Sequence, residues 1–129
     1  GATRFQLTFN AGGVLPPFDA DLPDDVEFTR RMIDDVAELS AVDPRRVYAT
    51  GYSNGGMMAY RLAGELSDRI AAIAAIAGTQ TIEFPVPPRP VPILHFHGTQ
   101  DGVVPTDGPA PGTPPFPTFL TLDETIAYW

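Results

Sequence analysis

The chain has 129 residues, 43% of them hydrophobic and 19% charged, which suits one globular domain with a real core. Its net charge is −8 and all eight basic residues are arginine, so there is no clustered positive charge to meet a nucleic-acid backbone. With no cysteine, disulfides, thiolate metal sites and cysteine nucleophiles are excluded. Taken in order, Arg4 to Phe9 alternates with period two, as a half-buried strand does, and Asn10-Ala11-Gly12-Gly13 ends it. Asp19, Asp21, Asp24 and Asp25 raise the question of a calcium loop. A loop starting at Asp19 would need glycine and glutamate where Asp24 and Arg30 stand, so these acids read as solvated loop and helix-start charges. A helix is expected from about Asp24 to Ser40. Asp24 and Glu27 stand at capping-box spacing; Val26, Ile33 and Ala37 form one stripe, with Met32, Val36 and Leu39 beside it. Asp43-Pro44 stops this helix.

Arg46 to Thr50 is a short β-type run. Gly51-Tyr52-Ser53-Asn54-Gly55-Gly56-Met57 follows and opens a helical run that reaches about Leu66. Strand, sharp turn with serine at its tip, then helix is the setting of a nucleophile elbow. At such a turn the serine backbone is strained, and small residues are expected two positions either side, where strand and helix cross closely. Gly51 and Gly55 meet that need, and Gly56 is expected to relax the first helical turn. The Asn54 N–H, at the new helix's start, would point where an oxyanion forms. Met57, Met58, Tyr60 and Leu62 read as packing residues, with one methionine available to line a pocket.

Ile70 to Ala77 is apolar on both faces, which suits a strand buried in a parallel sheet between helix layers; a buried helix is the alternative. Being the longest apolar stretch, it is too short to cross a bilayer. Gly1-Ala2-Thr3-Arg4 shows no signal-peptide pattern, so a soluble chain without membrane contact is expected. Eleven of the fifteen prolines lie between 85 and 117, yet Val91 to His97 reads as one more strand within them. The loop at its carboxyl end is Gly98 to Pro105, and Thr106 to Thr118 is a Pro/Gly-rich surface loop. Thr121-Leu122-Asp123-Glu124 is a second capping box, opening a helix into Trp129 with no C-cap after it, which suggests a fold continuing past the sequence. His95 and His97 alternate onto one sheet face.

Alternating β and α units around an elbow imply an α/β layered, mostly parallel sheet. Here the chain resembles the α/β-hydrolase superfamily, most of all its polyhydroxybutyrate depolymerase-like and feruloyl esterase-like carboxylesterases. The matching stretches are Asn10 to Gly13, Asp43 to Tyr60, His97 to Pro105 and Glu124 to Trp129. The resemblance implies Ser53 as nucleophile, Asp101 as triad acid and the Asn54 N–H as one oxyanion donor. It also implies that residues 1–129 are a single truncated or minimal core, since the family's first strands and second oxyanion donor precede residue 1 and its triad histidine lies beyond residue 129. His97 belongs to a structural His-Gly motif in that family, and is the fallback base here.

Three functions follow as expectations. The first is serine-dependent hydrolysis of short-chain or aromatic-acid esters through an acyl-enzyme. The second is a non-catalytic fragment or ligand-binding module on the same scaffold. The third is a serine peptidase of the prolyl-oligopeptidase type. No metal or cofactor is implied. The expected partners are a small-molecule ester and, because a partial sheet leaves edges unpaired, a second copy of the chain.

Overall fold

The computed structural model describes residues 8–13, 22–81, 87–110 and 118–129. The expected first strand lies mostly outside them, and Thr8 and Phe9 are not in a strand. Three helices and three strands follow in the order α1 (Asp25–Leu39), β1 (Tyr48–Tyr52), α2 (Asn54–Glu65), β2 (Ala72–Ile76), β3 (Ile93–Phe96) and α3 (Leu122–Tyr128). The strands form one parallel sheet in the order β1-β2-β3, with Tyr52 beside Ile76 and Ile76 beside Phe96. All three therefore end on one edge, and the loops that leave them share that edge.

The core lies between the sheet and α2. Met57, Tyr60 and Ala63 of α2, with Leu66 and Ile70 from the turn after it, pack on Ile73 and Ala75 of β2. Removing such side chains from water is worth roughly 1.5–3 kcal/mol each for the larger ones. The expected second helix layer is not found among the described residues. Tyr48, Tyr52, Leu94 and Phe96 are exposed on β1 and β3, and Ile76 of β2 is partly so. The alternation of β2 explains the difference: only Ile73 and Ala75 face α2, and their neighbours face the open side.

Helix α1 begins where its cap spacing predicts. The Asp24 carboxylate accepts the Glu27 N–H at 2.9 Å. Only half of the capping box forms, because the Glu27 side chain turns to Arg31 at 2.7 Å instead. Its apolar stripe is found in part: Val26 is buried and Ile33 packs against the core, while Ala37 and the flanking Met32, Val36 and Leu39 are exposed. The box opening α3 is complete, with Thr121 accepting the Glu124 N–H and Glu124 accepting the Thr121 N–H. Among the described residues no helix is long and apolar enough to cross a membrane.

Behind β2 lies a buried polar run, Thr79-Gln80-Thr81. The Thr79 hydroxyl donates to the Leu120 carbonyl at 2.8 Å, and the Trp129 indole donates to Gln80 Oε1 at 2.7 Å. Thr81 donates to the Ala11 carbonyl. Each buried polar group thus has a partner, as its desolvation requires, and the run stitches residues 9–13 and the α3 segment to the sheet.

Candidate active site

Ser53 stands between β1 and α2 with φ 54° and ψ −121°, a left-handed conformation that costs a non-glycine residue energy. The Ser53 N–H donates to the Ile76 carbonyl at 2.8 Å, and the Ser53 carbonyl accepts the Met57 N–H at 3.0 Å. Both groups flanking the strained bond are therefore anchored. Its side chain makes no capping bond to α2, so the hydroxyl is not spent on the helix.

Close packing fixes the turn. A Cβ on Gly51 would lie 2.8 Å from Gly55 Cα and nearer still to the Gly55 carbonyl. Gly56 meets β2: a Cβ there would lie 3.1 Å from the Ile76 carbonyl oxygen, so its glycine serves helix–strand approach rather than easing the first turn. The expected demand for a small residue at Gly55 is not found, since a Cβ there meets nothing within 4 Å among the described residues. The closeness at this crossing comes from Gly55's backbone and not from the direction of its missing side chain. Gly78, which the motif does not include, is a further constraint of the same kind as Gly51. A Cβ there would lie 3.0 Å from Met57 N and closer still to the Ser53 carbonyl oxygen. The only sequence signal for it is the Ala77-Gly78 pair ending an apolar run, and Ala77 itself has φ 50°.

Asn54 opens α2, so its N–H is among the donors that a helix start leaves unpaired. Its side chain has a separate task. Asn54 Oδ1 accepts the Phe9 N–H at 2.8 Å, and Asn54 Nδ2 donates to the Phe9 carbonyl at 3.1 Å. The Asn10 carbonyl accepts from Arg61 at 2.7 Å, and the Asn10 N–H donates to Asp25 at 2.6 Å. The Phe9–Gly13 loop is thereby tied beside the serine. A groove of about 810 Å³ runs from Ser53 and Asn54 past Phe9 and Tyr52 towards Phe28 and Met32 of α1.

Asp101 and His97 come together at the end of β3. Asp101 Oδ1 accepts the N–H groups of Val103 at 2.8 Å and Val104 at 2.9 Å. Asp101 Oδ2 stands 3.6 Å from His97 Nε2, beyond hydrogen-bond range but within electrostatic reach. The Val104 and Val103 N–H bonds, and to a lesser extent His97, hold the Asp101 carboxyl below the usual range against a smaller opposing effect of burial. Asp101 thus bonds its own loop backbone through one oxygen and faces His97 with the other.

His97 does not stand free to serve Ser53. Its Nε2 meets the Val104 carbonyl at 2.7 Å, and its Nδ1 meets His95 Nε2 at 3.0 Å. The side chain is 3% exposed. It follows β3 while Ser53 follows β1, two strands away, or about 10 Å at ordinary strand spacing. The rings of His95 and His97 stack at 5.2 Å on one face, as their alternation predicts. Sequence reasoning missed the partner beyond them: the Tyr60 hydroxyl lies 2.9 Å from His95 Nδ1.

The arrangement offers a strained, uncapped serine hydroxyl, an adjacent helix-start N–H and a fixed carboxylate on one edge of a parallel sheet. The sequence profile described as phospholipase/carboxylesterase matches residues 17–109. The "Putative esterase NocK" of Nocardia uniformis subsp. tsuyamanensis is 40% identical over 81% of this chain and 33% of its own length. Feruloyl esterase B of Piromyces equi is 44% identical over 66% of this chain and 17% of its own. Feruloyl esterase D of Neurospora crassa is 31% identical over 74% of this chain and 41% of its own. The chain thus spans well under half the length of these relatives.

Proposed function

The chain belongs to the phospholipase/carboxylesterase family of α/β-hydrolases, and from that premise we propose that it carries the nucleophile and acid of a serine-dependent carboxylic ester hydrolase. The observation that carries the reading is the backbone of Ser53: a left-handed serine at a strand-to-helix turn, held by Ile76, Met57 and Gly78. Strain of that kind persists only where surrounding contacts over-determine it.

In this reading the Ser53 oxygen attacks the ester carbonyl carbon as a base takes its proton. The carbonyl electrons move to oxygen, and the Asn54 N–H stabilises that charge. Collapse expels the alcohol, which receives the proton, and leaves an acyl-enzyme that water hydrolyses by the same route. Asp101 orients the base and stabilises its charged form. Both histidines of the chain are bonded in the strand-end series, and this reading assigns neither of them as the base. Residues 1–129 are read as one central part of the fold. The feruloyl esterase names of two relatives support aromatic-acid esters as the substrate class.

The test is hydrolysis of a short-chain chromogenic ester by the chain and by Ser53→Ala. Turnover in the parent alone is the expected result; equal rates in both would remove Ser53 from the chemistry. The commitment of both histidines favours a second reading, a ligand-binding scaffold without turnover. Thermal stabilisation by an aromatic acid, with no hydrolysis of its ester, would support it. Exposed Tyr48 and Tyr52 on the free side of β1 are the surface a second copy would cover. A clean monomer by light scattering would remove that arrangement.

A further inference from the structure

Tyr60, His95 and His97 are three buried or half-buried titratable side chains that the ester mechanism does not use. Their partners fix the direction of every hydrogen bond between them. The Val104 carbonyl can only accept, so in the neutral pair the proton of His97 is assigned to Nε2. His97 Nδ1 is then an acceptor, and the neighbouring His95 Nε2–H donates to it. His95 Nδ1 is left as an acceptor in turn, and the Tyr60 O–H donates to it. Burial keeps Tyr60 a donor, pushing it up to about 12. Burial, with His97 beside it, moves His95 below its usual value. The series therefore runs one way, from the core face of α2 through β3 to the loop beyond.

Its end point is one bond from the proposed acid. Val104 gives its carbonyl to His97 and its N–H to Asp101 Oδ1. We propose that Tyr60, His95 and His97 are positioning residues for Asp101: their hydrogen-bond series holds Val104, the Val103 and Val104 N–H groups hold Asp101 Oδ1, and Oδ2 is left as the oxygen offered to the base. The role rests on the reading of Asp101 as the acid. The geometry explains why two histidines alternate at the carboxyl end of β3, His95 within it and His97 just past it. Each ring must donate on one side and accept on the other, which a neutral imidazole does and an aliphatic side chain does not. It also ties the two halves of the site together, because Tyr60 belongs to the helix that opens at Ser53.

The experiment is NMR on the chain as it stands. Ring ¹⁵N shifts are expected to place both histidine protons on Nε2, and the carboxylate ¹³C titration of Asp101 to fall below that of an ordinary aspartate. In His97→Ala the Asp101 midpoint should rise towards the ordinary aspartate value, the effect of weakening an N–H bond to a carboxylate. In His97→Gln, whose amide donates to Val104 without a titrating charge, it should return towards the parent value. That rescue separates the hydrogen bond from the charge of the ring. Asp107 and Asp123, which line the cleft beside His97, are the same in every variant.

An unchanged Asp101 midpoint in His97→Ala would overturn the proposal, as would protons found on Nδ1. Should His97→Ala fail to fold, His97→Gln and Tyr60→Phe carry the test. A folded Gln variant with Asp101 at the ordinary value overturns the proposal; parental Asp101 in Gln with a smaller rise in Tyr60→Phe upholds it. None of these readouts needs ester turnover. An inactive Ser53 leaves the relay testable, and a failed relay leaves the ester assay standing.

Discussion

The two glycines of the Gly51-x-Ser53-x-Gly55 turn should respond oppositely to a methyl group. At Gly51 a Cβ would lie 2.8 Å from Gly55 Cα and closer to its carbonyl. Those atoms are backbone and cannot swing aside as a side chain end would. Relief requires the start of α2 to lift off the sheet, which pulls Gly56 from its close seat beside the Ile76 carbonyl and opens the packing there. Overpacking of this kind costs about 1–3 kcal/mol, and the upper half of that range applies where backbone meets backbone. For a chain of this size that is a fall of roughly 10 °C in Tm. At Gly55 a Cβ meets nothing within 4 Å among the described residues, and the residue lies in the first turn of α2. Exchange for alanine there should gain about 0.5 kcal/mol, or about 2 °C, by reducing the freedom of the unfolded chain. Thermal unfolding of Gly51→Ala, Gly55→Ala and the parent, followed by circular dichroism, compares them directly. Equal losses in the two variants, or a parental Tm in Gly51→Ala, would refute the packing argument.

Three further outcomes are expected. Asp101 is depressed in the folded state, so it adds stability above the ordinary aspartate value and loses it as pH falls through its folded value. Urea midpoints of the parent and Asp101→Asn should therefore converge as pH drops below about 4, and a pH-independent gap would count against it. Thr121→Ala removes the cap that accepts the Glu124 N–H at 3.1 Å and should cost about 1 kcal/mol in chemical unfolding. Asn54→Ala deletes both bonds to the Phe9 main chain, and amide exchange at Phe9 should speed up roughly tenfold; unchanged protection would show that the loop is held by other ties.

The parts that could be read from sequence are those where one residue type answers one local demand. The elbow, the Asp24 cap, the Thr121 box and the β3 histidine alternation all depend on neighbours within a few positions, and each is found. Site features that depend on distant partners were not legible. Gly78 lies under Ser53 because β2 runs beside β1, and no spacing along the chain announces that. Tyr60 read as a packing residue, and it is one, buried to 1% exposure; its hydroxyl's partner 35 positions away is set by α2 lying over β1 and β2, from which the side chain reaches across to β3. The residues beside the α1 stripe misled for the converse reason. Periodicity predicts which face is apolar, but Met32 and Val36 show that it does not say what covers that face.

The stitching behind β2 has a consequence for how the chain assembles. The contacts that strain Ser53 are drawn from Gly51 to Gly78 and can close as one local βαβ unit. The ties from Thr81 to Ala11 and from Thr118 to Gly13 bridge 70 and 105 positions. Closing such large loops carries a greater entropy loss and places those contacts late in folding. The serine turn is therefore expected to form first, by its nearest neighbours. The distant segments arrive afterwards as a fastening, so a defect in Thr81 or Thr118 should speed unfolding far more than it slows folding.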